Sequence, residues 1–441
     1  MDYFKIIIDA QERCKMEQFT FIVLGAGSRG KGYAKNSLLQ NGRMKLIGVA
    51  EPIDERREFM RTTYDIPEEN CVHDWKELIL DRPKMADVAV ISMQDQLHYE
   101  PAMRAIEKGY HLLLEKPMAP TPKECLEIAR AAEAKGVHVI VGHVLRYTPF
   151  FGALKSIIDS GRIGKVMNII HTEGVGNIHQ SHSYVRGNWH VEEKSTPMLL
   201  AKSCHDIDIL QWLVGKDIKR VQSFGTLSHF KAENRPEGAP ERCIQGCPHA
   251  DTCFYNAVKL YYDDKKNSHF RCVATGAAQN PADELVEKAL WETDYGRCVY
   301  ALDNNVVDHQ TVNIEFEDDI LAVFTMSAFN KGGRSITIMG TKGELSASMK
   351  DKEITIYDFA TRQYTKEPLS NFMEDETIVG GHGGGDAGIT KAFCELIADG
   401  KDNISLGDGM ISAENHIAVF AAEKSRRTGT VVSIDEYTES L

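Results

Sequence analysis

Gly25-Ala26-Gly27-Ser28-Arg29-Gly30 stands directly after the apolar run Phe19–Leu24 and directly before a stretch of helical character. In that setting the first glycine makes a tight turn, the second lets a diphosphate approach the backbone, and the third lets helix pack on strand. The free N–H groups and positive dipole end of the following helix would hold the phosphate charge. Glu51 ends the next strand about twenty residues further on, where a carboxylate grips the adenosine ribose. A carboxylate there repels a 2′-phosphate, which favours NAD over NADP, although Arg29, Arg56 and Arg57 stand near enough to accept such a phosphate instead.

A second chemical group lies in Lys202-Ser203-Cys204-His205-Asp206-Ile207-Asp208. Ser203 followed three residues later by Asp206 fits a capping box, which predicts a helix opening there, with His205 in its first turn, and ending near Gly215. Close to the positive end of a helix an imidazole stays neutral, as a general base must, and such bases contribute about a hundredfold to ten-thousandfold. Asp206 reads mostly as a cap that also faces substrate, and Asp208 as a group that orients the ring.

Three further clusters carry candidate ligands. Four of the sixteen histidines fall between His171 and His190, where Asn177, His179, Arg186, Asn188, Trp189 and His190 offer polar forks and an aromatic face suited to ring hydroxyls. The run Gly380-Gly381-His382-Gly383-Gly384-Gly385-Asp386 suggests a backbone that comes close to something, and we read it as a pocket loop contributing His382. Cys243, Cys247 and Cys253 suit a tetrahedral zinc site that lacks one ligand, and Cys298 supplies it ahead of Cys272 and His229. Such a closed, sulfur-rich site would be structural.

The elements that must position these groups follow from periodicity. From Gln18 to about Val141, short apolar runs at 19–24, 45–50, 88–92, 111–114 and 138–141 alternate with helical patterns at 76–80, 100–108 and 122–134. That rhythm predicts a Rossmann-type α/β domain with a parallel sheet, ending near residue 142. After Gly142 alternating β-branched runs at 166–172, 221–227, 311–316, 321–327 and 335–339 predict an α+β domain, residues 143–441, with a large, mostly antiparallel sheet. Residues 231–296 break this rhythm with Pro, Gly, charge and clustered cysteines, and read as an insertion.

Acidic residues number 64 against 51 basic ones, for a net charge of -13, a surface that repels phosphodiester backbones and anionic membranes. Neither nucleic acid nor a membrane is expected as a partner. The first residues show no signal-peptide pattern, so a cytoplasmic protein is expected, with its ten cysteines as thiols. An exposed sheet face suggests a homodimer or homotetramer.

The chain resembles the glucose-fructose oxidoreductase and inositol dehydrogenase family, Gfo/Idh/MocA. The matching pieces are GAGSRG at 25–30, AEP at 50–52, HYEPAMRAIEKGYHLLLEKPMAPT at 98–121, GHVLRYTPFFGALKSIIDSGRIGKV at 142–166 and HDIDILQWLVG at 205–215. The resemblance implies a nicotinamide enzyme in which Lys116, of Glu115-Lys116-Pro117, reaches both cofactor and substrate hydroxyl, aimed by a cis bond before Pro117. Ser92, Gln94, His98 and Glu115 join the cofactor set, and Arg146 and Tyr147 the substrate set. Many members carry an aspartate four residues before the histidine, where this chain has Ala201, with Lys202 beside it. Either the acid–base network is rebuilt around Lys202, or the substrate brings a negative group that Lys202 binds.

Together these readings predict hydride transfer to NAD from a secondary ring hydroxyl, at carbon 3 by analogy, of a sugar, glycoside or cyclitol. His205 would take the proton while Lys116 polarises the oxygen. An alternative is a redox-neutral glycosidase with held NAD, working by oxidation at carbon 3, elimination from carbon 1 and hydration. A third reading is a non-catalytic NAD or sugar sensor, for which His205→Ala would change nothing.

Overall fold

The computed structural model describes residues 18–372, 381–401 and 407–441, with residues 381 and 382 described by their backbone alone. Among the described residues no helix is long and apolar enough to cross a membrane.

Six strands form the first sheet: β1 (Phe19–Leu24), β2 (Met44–Ala50), β3 (Cys71–Val72), β4 (Val88–Ile91), β5 (His111–Leu114) and β6 (Val139–Val141). Their order is β3-β2-β1-β4-β5-β6 and every pairing is parallel. The strand order reverses between β1 and β4, and the crevice past their carboxyl ends is where open α/β sheets bind ligands. Local chemistry explains the crossovers. Thr121 caps the helix Pro122–Lys135 by accepting from the Glu124 N–H, Pro122 opens it, and Gly136 closes it in the left-handed conformation.

The second sheet has nine strands: β7 (Val166–Gly174), β8 (Ile218–Thr226), β9 (His309–Phe316), β10 (Leu321–Ser327), β11 (Gly333–Gly340), β12 (Gly343–Ser348), β13 (Glu353–Asp358), β14 (Gln363–Pro368) and β15 (Val432–Ser433). Their order is β14-β13-β12-β11-β7-β10-β9-β8-β15. All neighbours are antiparallel except β7 and β10. The helices Met198–Val214 and Gly409–Thr428 cover one face. On the other, Ile170 lies beside Val323 in register, and both are exposed, as is Leu321.

A division at residue 142 describes the chain better than the cores. The helix Gly385–Asp399 sends Ile389, Phe393 and Leu396 into the same apolar cluster as Phe19, Phe21 and Val23 of β1. Between β8 and β9 the insertion folds into short helices around two small clusters, one of Phe230 and Tyr255 shared with Val185 and Ala328, the other on Tyr261 and Leu290.

Candidate active site

At the carboxyl ends of β1 and β4 lies a cavity of about 880 Å³, and its walls begin with the glycine turn. Gly25 has a φ of +93°, and a Cβ there would stand 2.8 Å from the Ser92 carbonyl oxygen. A Cβ on Gly30 would lie 2.0 Å from the Gly25 carbonyl oxygen, so Gly30 is where helix meets strand. Gly27 lines the cavity and has nothing within 4 Å of where its Cβ would be, which leaves the backbone open to a diphosphate. This cradle fits a dinucleotide.

Glu51 is buried at the cavity wall, with one carboxylate oxygen accepting from the Ala26 N–H at 2.7 Å and the other from the Ile53 N–H at 3.0 Å. It therefore holds the glycine turn as well as facing the nucleotide end. The three arginines that might have received a 2′-phosphate are all engaged by protein. Arg29 donates to Glu115 at 2.6 Å and to Asp386 at 2.7 Å, Arg57 to the Glu51 carbonyl at 2.7 Å, and Arg56 to the Gly276 carbonyl at 2.8 Å. Burial pushes the Glu115 carboxyl up, but Arg29 and Lys116 outweigh it and hold it below the ordinary value.

Ser92, Gln94, Glu115 and Lys116 line the cavity, while His98 does not. The His98 ring is fully buried, 2.8 Å from the Pro117 carbonyl oxygen and 3.2 Å from that of Met93, so it braces two loops rather than touching cofactor. The Lys116–Pro117 bond is cis. Just beyond it, the Met118 N–H donates to His416 Nε2 at 2.9 Å, and His416 Nδ1–H donates to the Ser412 carbonyl at 2.7 Å. Burial and the neighbouring His143 push His416 down to about 3, which keeps Nε2 an acceptor.

Lys116 reaches across to the helix Met198–Val214, where its ammonium donates to the Ala201 carbonyl at 2.6 Å. That helix starts at Met198 after Pro197, not at Ser203, so the expected capping box does not form and His205 lies two turns in. Dipole stabilisation fades within the first turn, so it does not set the His205 ring. Instead the ring lines the cavity and packs edge-on against the buried His143, with centroids 5.8 Å apart. Asp208 does not orient it, since its carboxylate accepts from Arg146 at 2.8 and 2.6 Å and from Asn415 at 2.7 Å.

Lys202 also lines the cavity, its ammonium 3.3 Å from Glu173. Burial outweighs that carboxylate and lowers the Lys202 pKa. The same burial, reinforced by Lys202, holds His179 well below its ordinary value. Asp206 does not line the cavity: it accepts from Arg334 at 2.7 and 3.0 Å and stands 2.8 Å from His171 Nε2. Burial raises its carboxyl, yet Arg334 and His171 hold it far below the ordinary range.

Arg334, on β11, also lines the cavity and escaped the sequence reading. The signal was available, because Arg334 shares a strand face with the buried Ile336 and Ile338, and a charge at a core-facing position needs a reason. Asp95 was missed as well; it lines the cavity and accepts from Trp189 Nε1 at 3.0 Å and from Thr196 at 2.9 Å.

Much of the expected substrate set stands elsewhere. Of the histidine-rich loop, His179, Asn188 and Trp189 reach the cavity, whereas Asn177 and His190 do not. His190 turns to the Gly187 carbonyl and Asp303, beyond a wide π-type turn at residues 180–186 whose side chains are buried. Arg146 is locked to Asp208 beneath the site, and Tyr147, half-buried, does not line the cavity; its carbonyl closes on Gly388. Arg186 donates to the carbonyls of Arg297 and Tyr255, both at 2.8 Å, and so packs against the insertion and away from the crevice. The glycine run approaches this chain's own backbone, for a Cβ on Gly385 would lie 2.2 Å from the Val144 carbonyl oxygen. The His382 side chain lies outside the described residues.

Cys243, Cys247, Cys253 and Cys298 line one small cavity in the insertion, apart from the nucleotide crevice. As they stand, no group of three or more Cys, His, Asp or Glu among the described residues has the geometry to hold a metal ion, so the expected zinc site is not formed.

Comparison with known proteins agrees with this architecture. The model of the GFO_IDH_MocA oxidoreductase family, NAD-binding Rossmann fold, matches residues 19–143, and the model of the GFO/IDH/MocA C-terminal domain matches residues 151–346. A Bacillus subtilis protein named as an oxidoreductase, YteT, is 24% identical over 342 residues, 76% of this chain and 77% of that one. Inositol 2-dehydrogenase of Salmonella typhimurium is 26% identical over 204 residues, 46% of this chain and 56% of its own length. The matched region thus spans little more than half of that dehydrogenase.

Among solved structures, a levoglucosan dehydrogenase in complex with NADH and levoglucosan superposes with a TM-score of 0.68 at 18% identity, covering 95% of this chain and 100% of that one. An oxidoreductase from Agrobacterium radiobacter in complex with NAD+, L-tartaric acid and magnesium gives 0.66 at 14% identity, covering 95% and 99%. With a dinucleotide cradle at the switch point and family models matched on both halves of the chain, this protein belongs to the Gfo/Idh/MocA family of NAD-binding oxidoreductases.

Proposed function

We propose that the protein is an NAD-dependent dehydrogenase acting on a secondary ring hydroxyl of a sugar, glycoside or cyclitol. The observation that carries this reading is that Lys116, His205 and the glycine turn line one cavity, with Lys116 bonded one turn ahead of His205. Gly25, Gly27, Ser28 and Glu51 would hold the dinucleotide, which supplies the hydride acceptor when bound. Lys116 holds the substrate oxygen and stabilises its developing negative charge, and His205 takes the hydroxyl proton. His179 and Trp189 supply a polar group and an aromatic face for the ring. Cyclic polyols and their anhydrides are named for two of the relatives above, inositol and levoglucosan, which supports that substrate class. Carbon 3 is the proposed site of oxidation. The engaged arginines and the buried Glu51 favour NAD over NADP.

Incubation with NAD and a panel of pyranoses, glycosides and cyclitols, read by NADH absorbance, tests the proposal. Reduction by at least one is expected; purified protein that binds neither pyridine nucleotide sinks it.

A second reading, redox-neutral cleavage of a glycoside, draws on Lys202 and His179, two further acid–base groups in the cavity whose pKa values are lowered. Release of nitrophenol from a nitrophenyl glycoside without NADH accumulation would favour it. The exposed Ile170, Leu321 and Val323 on the outer sheet face support self-association, which light scattering measures directly.

A further inference from the structure

Building on the dehydrogenase reading above, we propose that the ring this protein oxidises bears a carboxylate, as in a hexuronic acid or its glycoside, and that Lys202 and Arg334 seat that group. Charge on one wall of the cavity is layered. Lys202 and Arg334 line the cavity, whereas the carboxylates paired with them, Glu173 and Asp206, do not. Cations therefore stand in front and carboxylates behind.

The sheet register builds this layer. Arg334 on β11 is the direct cross-strand partner of Glu173 on β7, which sets opposite charges side by side. Lys202 arrives from the helix Met198–Val214, and Glu173 reaches it too: one carboxylate oxygen lies 3.3 Å from Lys202 Nζ and the other 2.9 Å from Arg334 Nε. One carboxylate thus spans both cations from behind. The same spacing suits a second carboxylate on the cavity side, and donors remain for it. Asp206 takes Nε and Nη2 of Arg334, which leaves Nη1 without an acceptor among the described residues. The Lys202 ammonium has three N–H groups and, among those residues, a single ion pair.

Lys202 stands one turn before His205 on the same helix, and residues so spaced are neighbours, with Cβ atoms about 5–6 Å apart. That separation is close to the breadth of one sugar ring. A ring hydroxyl can meet Lys116 and His205 while a carboxylate on the ring's other side meets Lys202 and Arg334. A neutral ring in the same place would strip water from two largely buried cations and return only hydroxyl oxygens. Asp95 and Glu115 also line the cavity but do not compete for the two cations. Asp95 accepts from Trp189 and Thr196, and Glu115 from Arg29 and Tyr33.

The test is calorimetric titration of the full-length protein, loaded with NADH, with D-glucuronate, D-galacturonate and D-mannuronate. Each is compared with its neutral sugar and its uronamide, and glucose 6-phosphate serves as a second kind of anion. At least one uronate should bind about tenfold to a hundredfold tighter than its neutral counterparts, and the same uronate should be preferred in kcat/KM for NAD reduction. Lys202→Met should collapse that ratio toward one, and Lys202→Arg, which keeps the charge, should retain most of it. The proposal is overturned if no uronate binds more tightly than its neutral sugar, if glucose 6-phosphate outbinds all three, or if folded Lys202→Met keeps the preference. Neutral sugars or cyclitols oxidised without any preference for a uronate would overturn it and leave the dehydrogenase reading standing, whereas protein that binds neither pyridine nucleotide removes both. The comparison of uronate with neutral sugar uses the wild type, so a variant that fails to fold does not blunt it.

Discussion

The Lys116 ammonium donates to the main-chain carbonyl of Ala201 at 2.6 Å. This contact positions the lysine and leaves its other N–H groups to a substrate oxygen, and one helical turn further on stands His205.

Lys116→Met should therefore lower turnover by about a hundredfold to ten-thousandfold while leaving nucleotide binding nearly intact. Single-turnover hydride transfer and quenching of NADH fluorescence separate the two effects. Equal losses in both would assign Lys116 to cofactor binding alone.

His205→Asn should cost a similar factor, about a hundredfold or more, and flatten the acid limb of the rate profile. A profile whose acid limb survives the substitution would place the proton acceptor elsewhere.

Glu51→Ala removes two charge-assisted bonds to backbone N–H groups. With the glycine turn no longer held and the ribose carboxylate gone, NAD affinity should fall by about tenfold or more, with NADP losing less. Calorimetric titration with both nucleotides measures it.

Arg334→Met should cost about 3–5 kcal/mol, because it leaves the Asp206 carboxylate buried without the guanidinium that donates to both of its oxygens. Chemical denaturation reads the loss. A midpoint near that of wild type would mean that the Glu173, Asp206 and Arg334 network is dispensable.

His416 ties stability to pH. Its ring is neutral in the fold, with a pKa of about 3 against an ordinary 6.5, and free to take a proton once unfolded. Its contribution is complete above pH 6.5 and falls away as pH drops toward 3. Melting temperature should decline through that window, and His416→Asn should make the decline shallower.

Residues close together in sequence were legible before the fold was known. Phe19–Leu24 and His111–Leu114 stand as strands at their expected bounds, because a buried parallel strand needs an unbroken apolar run and these have one. The His205 helix starts six residues before the expected cap, at Pro197 instead of Ser203, because Met198–Ala201 is apolar all round, without the polar face that marks a helix end. The strands β12 to β14 escaped notice for a related reason, since the outermost, Gln363–Pro368, buries little and alternates weakly.

The sequence by itself determined the glycine turn, the ribose carboxylate after it and the Glu115-Lys116-Pro117 corner, because each acts through backbone geometry within a few residues. Only the tertiary structure decided which polar side chains face the cavity. Arg146 and Arg186 carry the same guanidinium as Arg334, yet the first neutralises Asp208 in the core, the second faces four cysteines, and the third borders the crevice. A buried guanidinium goes wherever acceptors wait, a carboxylate or a set of carbonyls, and those acceptors come from segments distant along the chain.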